Sequence, residues 1–165
     1  SFLSLPFFLS DGVEIPILGI DTKVSIGDVQ KPEKIDSILL VSRGKSVSTQ
    51  VKRYLKELAG VHLNYMCKEF AERLGSKVRK ITLRDTRSRW GSCSNDANLM
   101  FSWRLVMAPE EVLAYVAAHE VAHLKHMNHS KDFWETVEYL FGAYKEERAW
   151  LKQNGSSLHR YKFEG

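Results

Sequence analysis

The chain has 165 residues, of which 44% are hydrophobic and 27% charged, a composition typical of one globular domain. Its formal net charge of +4 at pH 7 suits a polyanionic partner but also an ordinary soluble surface, so charge alone selects no function. The two cysteines, Cys67 and Cys93, lie far apart and have no paired spacing, so nothing suggests a disulfide framework or a cysteine-only zinc site, and a reducing, cytoplasmic compartment is favoured.

The first 45 residues predict a small antiparallel β-rich subdomain. The apolar start, residues 1–9, has no positively charged leader and is interrupted at Asp11, so we expect a first strand and no membrane segment. Further β-rich runs follow at 13–20, 23–26 and 38–41. Glycine- and proline-containing turns separate these runs, as in a small sheet.

A long helix and a β-hairpin are predicted next. Ser48 is a suitable N-cap, hydrophobic residues then recur at helical spacing, and Gly75 provides a C-terminal stop. Gly60 is a point at which this helix is expected to bend or split. Residues 78–86 and 98–106 alternate in hydrophobicity as strands do, and the polar loop between them predicts a hairpin.

Three helices are predicted in the last third of the chain. Pro109, followed by two glutamates, marks the start of the first helix. Ser130 is the predicted N-cap of the second, which ends near Gly142, and the third covers residues 143–154. The predicted fold class is therefore α+β, as a single domain with a β-rich part at 1–45 and an α+β core at 46–165.

The first of these helices contains His119-Glu-Val-Ala-His123, which matches the pattern H-E-x-x-H. Residues i and i+4 of a helix share a face and lie about 6 Å apart, so both imidazoles can bind one ion. Glu120 projects about 100 degrees round the helix from His119, where it can accept a proton from water instead of binding the metal. Since the helix is otherwise apolar, these groups need a partner that a cation supplies; two merely packed histidines are the alternative.

The predicted third ligand is His129, which follows His119 by ten residues, the spacing of an H-E-x-x-H-x-x-x-x-x-H motif. Asn128 tolerates the left-handed conformation that would turn the chain back. His126 lies about 10.5 Å along a continued helix from His119, too far for both to bind one ion, so we expect a surface or supporting role. The remaining alternatives are Cys93, in the manner of peptide deformylases, and Glu135, Glu138, Glu146 and Glu147.

Three neutral imidazoles leave one coordination position open, which is typical of a catalytic zinc site. The sequence therefore predicts one Zn²⁺ per chain and a hydrolase that cleaves a peptide or protein substrate. Glu120 is the predicted general base. A metal-binding scaffold without turnover is the alternative that an intact Glu120 argues against.

Several segments resemble one known family when they are taken together. They are R-S-R-W-G-S-C-S at 87–94, F-S-W-R-L at 101–105, Ala108-Pro109, Y-V-A-A-H-E-V-A-H-L at 115–124 and N-H-S-K-D-F-W at 128–134. The sequence resembles the YgjP-like metal-dependent hydrolases, related to SprT-like and weak-suppressor-of-SUMO-type proteases, over about residues 48–154. The resemblance implies a zincin-like core behind a β-rich N-terminal extension, with His119, His123 and His129 as ligands and Glu120 as base.

Two further features remain open at this point. Arg89, or a backbone amide near Gly91, is a candidate for stabilising an oxyanion, and the alternative is that this run only packs the hairpin. Six basic residues crowd the segment 77–89: Lys77, Arg79, Lys80, Arg84, Arg87 and Arg89. With Asp85 as the only counter-charge, the segment predicts contacts to nucleic acid, with a solvated face as the alternative.

Overall fold

The computed structural model describes residues 5–164, and these form nine strands and four α-helices. The strands are β1 (Phe7–Phe8), β2 (Glu14–Ile17), β3 (Ile20–Gly27), β4 (Glu33–Ile35), β5 (Ile38–Ser42), β6 (Lys80–Arg84), β7 (Gly91–Cys93), β8 (Asn98–Ser102) and β9 (Tyr161–Lys162). The helices are α1 (Val47–Arg73), α2 (Glu110–Ala122), α3 (Lys131–Phe141) and α4 (Lys145–Asn154). Short 3-10 helices cover Trp103–Met107 and Gly155–Arg160.

The N-terminal sheet has the strand order β2-β3-β5-β4 and is mixed, so the prediction of a purely antiparallel sheet was wrong. After β3 the chain forms the outer strand β4 first and then returns as β5 beside β3, which makes those two strands parallel. The run predicted at 13–20 is split by a turn in which Leu18 and Gly19 have positive φ. β1 pairs with β9, and residues 1–4 of the predicted first strand lie outside the described residues.

Helix α1 runs unbroken through Gly60, so the helix is not split at that residue. Gly60 lies where α1 packs against β6. A Cβ added at this position would be 3.7 Å from the Cδ1 atom of Leu83. The N-cap is Ser46, whose hydroxyl accepts from the amide of Thr49, and not the predicted Ser48. The predicted stop at Gly75 is confirmed by its positive φ of 64°.

The second sheet has the order β6-β8-β7, and here too the predicted pairing was wrong. β6 and β8 are parallel, because the chain crosses to the far edge and forms β7 before it returns through the middle as β8. The antiparallel hairpin is therefore between β7 and β8. The strand predicted at 98–106 ends at Ser102, whose hydroxyl accepts from the amide of Arg104 and caps the following 3-10 helix.

The starts of the last three helices and the end of α3 match the predictions closely. α2 follows Pro109 as N-cap residue, the Ser130 hydroxyl accepts from the amide of Phe133 at the start of α3, and α3 ends at Gly142. None of the helices within residues 5–164 combines the length and the apolar character that crossing a bilayer requires.

The N-terminal sheet supports the start of α2 directly. The Leu18 amide donates to the Val106 carbonyl at 2.7 Å, and an added Cβ at Gly19 would lie 2.9 Å from the Cα of Pro109. Only glycine permits this approach. The N-terminal strands and α2 also bury their apolar side chains in one continuous hydrophobic core.

A buried arginine anchors the C-terminal segment to the second sheet. The Arg104 guanidinium donates to both carboxylate oxygens of Asp85, at 2.7 and 3.2 Å, and to the carbonyls of Leu158 and Tyr161. Burial would raise the pKa of Asp85, but these hydrogen bonds and the charge of Arg104 hold it below its ordinary value. The carboxylate therefore stays charged and committed to Arg104.

Candidate metal centre

The end of α2 and the chain that follows it bring three histidines together. The ring nitrogens of His119, His123 and His129 that could bind a metal all lie within 4.8 Å of one another. The ring centroids are 4.8 to 5.3 Å apart. One ion with bonds of about 2.0 to 2.1 Å requires its nitrogens to lie close together, so the three side chains form a candidate site for a single ion.

Helix α2 ends earlier than the sequence predicted, and this changes the position of His126. Ala122 is the last helical residue and His123 the C-cap, so the distance estimated for His126 along a continued helix was wrong. Tight turns lead on from the helix end, and Asn128 does not adopt the positive φ expected of it. The His126 carbonyl accepts a hydrogen bond of 2.9 Å from Nδ1 of His123.

Glu120 lies beside the three histidines and against the edge of the second sheet. Glu120 is only 5% exposed, and its Oε2 atom is 3.2 Å from Nδ1 of His119. An added Cβ at Gly91 would come within 2.9 Å of the Glu120 Cγ atom and 3.0 Å of Oε2. The absence of a side chain at Gly91 therefore allows strand β7 to contact the carboxylate.

Local electrostatics favour the neutral form of His129. Partial burial and the neighbouring His119 and His123 lower its pKa, and the guanidinium of Arg148 adds to the shift, while Glu120 opposes it. A neutral imidazole keeps a lone pair for a metal. The His126 carbonyl can only accept, so Nδ1 of His123 is the donor in their hydrogen bond and Nε2 is the ring nitrogen left for a metal.

The first turn of α3 supplies two aromatic rings to the site. Phe133 is fully buried and stacks on the His123 ring, with centroids 4.4 Å apart and planes at 29°. Trp134 stacks on the His129 ring at 5.9 Å and 30°. These contacts fix the orientation of two of the three imidazoles.

An aromatic wall, formed by Tyr115, Trp134 and Tyr144, continues from the histidines to α4. Tyr144 lies 5.3 Å from Trp134 and 5.8 Å from Tyr115, and the Arg148 guanidinium lies 4.5 Å from the centre of the Trp134 ring. Burial raises the pKa of Tyr115 to about 12, so its hydroxyl stays protonated at neutral pH. The sequence interpretation missed the wall; the only available signal was Tyr115, four residues before His119 on α2.

The other candidate ligands lie outside this cluster. Within residues 5–164, the group that could hold an ion includes neither Cys93 nor any of Glu135, Glu138, Glu146 and Glu147. Burial, with the negative charge of Glu120, raises the pKa of Cys93 to about 11, which keeps the thiol protonated. Arg89 is exposed before β7, and the adjacent Trp90 stacks on His159 of the C-terminal 3-10 helix at 5.2 Å.

A family model described as "YgjP-like, metallopeptidase domain" matches residues 6–154, most of the chain. The chain belongs to the YgjP-like family. The resemblance seen in the sequence is thereby confirmed, and this YgjP-like protein is a metal-dependent peptidase of mixed α and β structure.

One similar solved structure is that of the metallopeptidase zymogen of Pyrococcus abyssi abylysin. It is 21% identical, the match covers 60% of this chain and 97% of that one, and the TM-score is 0.50. A likeness at this identity concerns the fold alone. Comparison with curated proteins gives no match.

Proposed function

We propose that this YgjP-like protein is a zinc peptidase in which His119, His123 and His129 bind one Zn²⁺ and Glu120 is the general base. The observation that carries the proposal is the convergence of three imidazoles within 4.8 Å beside a buried carboxylate. Three nitrogen ligands leave one position of a tetrahedral zinc site open, as catalysis requires.

The hydrogen bonds around the rings fit such a site. Zinc-bound histidines nearly always donate their second ring N–H to a carbonyl or a carboxylate, which fixes the tautomer. His123 has the carbonyl of His126 as this partner, and His119 has the carboxylate of Glu120. Both contacts leave Nε2 to bind the metal.

The protein's own residues would then carry the proton through the reaction. When bound, zinc supplies a Lewis acid that polarises the scissile carbonyl and makes the attacking water more acidic. Glu120 accepts the proton of that water and passes it to the leaving amine. A backbone amide near Gly91, which touches Glu120, is better placed than the exposed Arg89 to donate to the oxyanion.

We assign the core at 46–165 to a zincin-like arrangement, with residues 1–45 as a β-rich extension. β7 is the outermost strand of its sheet and lies beside Glu120. An extended peptide that pairs with this edge would pass its backbone over the metal ligands. The extension would act through Gly19 and Pro109, by holding the start of α2.

The proposed activity has a direct test. Purified protein should contain about one zinc per chain and cleave unstructured polypeptides, because a three-histidine site usually retains its ion. A chelator should abolish cleavage, and one equivalent of zinc should restore it. The proposal would be contradicted if the purified protein contained no transition metal and if neither its melting temperature nor its cleavage activity changed with chelator or added zinc.

Gly91→Ala is expected to reduce turnover by about tenfold while zinc content stays at one per chain. The added methyl would lie 2.9 Å from the Glu120 Cγ atom, so the carboxylate must move from its position, and small misplacements of a catalytic group are costly. The measurement is kcat beside elemental analysis. Gly60→Ala is the matched control, because Gly60 has no positive φ and an added Cβ there meets only the Leu83 Cδ1 atom, at an ordinary contact distance of 3.7 Å. Unchanged kcat in Gly91→Ala would show that the contact does not position Glu120.

Binding of nucleic acid is a second candidate function, favoured by one specific observation. Asp85, the only acid in the segment 77–89, is committed to Arg104, so the six exposed basic residues of that segment have no counter-charge within it. Lys77, Arg79 and Lys80 also line a groove of about 690 Å³ between α1 and β6. Counterion release should then make DNA affinity fall steeply with salt and weaken in Arg79→Ala/Lys80→Ala. No binding at low salt would favour a solvated face.

A further inference from the structure

One face of α4 is strongly basic and has no acidic partner within the described residues. Lys145, Arg148 and Lys152 recur at i, i+3 and i+7, and together with Tyr144 and Ala149 they line a cavity of about 380 Å³. All three are exposed, and none forms an ion pair anywhere in residues 5–164. The helix's two early glutamates do not line the cavity. The cavity therefore has positive charge and no acidic residue in its lining.

The aromatic wall connects this basic face to the candidate metal centre. The Arg148 guanidinium lies 4.5 Å above the Trp134 ring, and the same ring stacks on His129. Tyr144, which also lines the cavity, lies against both Trp134 and Tyr115. A substrate held at the three histidines would thus have the cationic face as its neighbour on the α4 side.

The guanidinium of Arg148 is positioned to bind an anion. The contact with the Trp134 ring restricts the guanidinium, while its N–H groups make no hydrogen bond within the described part of the chain. A guanidinium in this position can donate two parallel hydrogen bonds to a carboxylate. Lys145 and Lys152, on the same face, would add charge that attracts an anion but less geometric selectivity.

We propose that Lys145, Arg148 and Lys152 form a substrate subsite for a carboxylate, so that the peptidase selects peptides with an acidic group next to the scissile bond. The inference rests on the proposed peptidase function and adds its substrate class. The carboxylate belongs either to an aspartate or glutamate side chain or to the C-terminus of the peptide, since both offer the same two oxygens.

Three matched forms of one cleaved peptide test the subsite. The first form is a series in which one glutamate is placed at successive positions around the scissile bond, with a C-terminal amide. The second has glutamine at those positions and the same amide. The third has glutamine at those positions and a free C-terminal carboxylate. The zinc-loaded wild type should cleave the first or the third with kcat/KM about tenfold above the second, mainly through KM. The favoured form tells which carboxylate binds. Equal rates for all three would overturn the proposal.

Variants of α4 should change the preference and not merely the rate. The acidic-to-neutral ratio of kcat/KM should fall toward one in Arg148→Gln, survive in part in Arg148→Lys, and fall below one in Arg148→Glu. Lys56→Gln is the charge-matched control, because it removes one positive charge at an exposed lysine of a different helix, α1, and it should leave the ratio unchanged. A ratio that is the same in Arg148→Gln and Arg148→Glu as in wild type would refute the assignment.

A binding measurement separates this inference from the peptidase function itself. Zinc-loaded Glu120→Gln should bind the fluorescein-labelled acidic peptide about tenfold more tightly than its neutral counterpart, by anisotropy, and added salt should reduce the difference. If wild type cleaves peptides without acidic preference, the subsite is wrong and the peptidase stands. If no peptide is cleaved but the binding preference persists, the subsite stands and the proposed chemistry fails. Equal affinities for the two peptides would remove the subsite in either case.

Discussion

Glu120→Gln is expected to lower peptide hydrolysis by about 10²- to 10⁴-fold while the protein keeps its zinc. The amide has the shape of the carboxylate, and its oxygen can still accept the hydrogen bond from Nδ1 of His119, which spans 3.2 Å in the native protein. It cannot accept a proton from water at neutral pH. The change therefore removes the base and leaves the ligands in place.

The measurement is kcat/KM on one peptide, paired with zinc content for the same preparation. Glu111→Gln is the matched control, because it makes the same exchange at an exposed position in the first turn of α2. Hydrolysis by Glu120→Gln at the wild-type rate would mean that another group is the base or that the activity comes from a contaminant.

His129→Ala should lose its metal, with zinc affinity reduced by more than about 100-fold. Its imidazole is one of three candidate ligands, and removal of a ligand costs more than the 10- to 100-fold typical of a group that only supports one. His126→Ala should retain one zinc per chain, since the contact from His126 to His123 is made by its backbone carbonyl. Zinc titration of the metal-free proteins, with a competing chelator, gives both affinities.

The same titration also tests the rival ligand sets. If His126→Ala empties the site and His129→Ala leaves it full, the third ligand is His126 and the turn after α2 has another path in solution. Retention of zinc in both, with loss in Cys93→Ser, would support the deformylase-like alternative. Loss of zinc in His129→Ala alone is the result that the geometry leads us to expect.

Much of the helical structure was predictable from the sequence because local signals determine it. The Ser130 cap, the Gly75 stop and the position of Pro109 depend on residues close in the chain. Strand pairing depends on residues distant in sequence, and neither the parallel pairing of β6 with β8 nor that of β3 with β5 has a local signal. Alternation of side chains shows that a segment is a strand, but not which neighbour it takes.

The features of the site also divide into those with a local sequence signal and those that depend on distant residues. The i, i+4 spacing of His119 and His123 and the ten-residue distance to His129 were sufficient to predict which imidazoles converge. The contact of Gly91 with Glu120 comes from an edge strand, and Arg148 reaches Trp134 from a different helix. Such contacts arise from tertiary packing, so a single sequence carries no periodicity that reveals them.

The hydrogen bond between His123 and the carbonyl of His126 constrains the length of a segment and not its composition. Every residue type has a carbonyl, so a related protein could carry almost any residue at position 126 and preserve the orientation of His123. An insertion or deletion between Leu124 and His129 would instead move that carbonyl and the third imidazole together. Across relatives, position 126 should therefore vary freely in residue type while the connection stays constant in length.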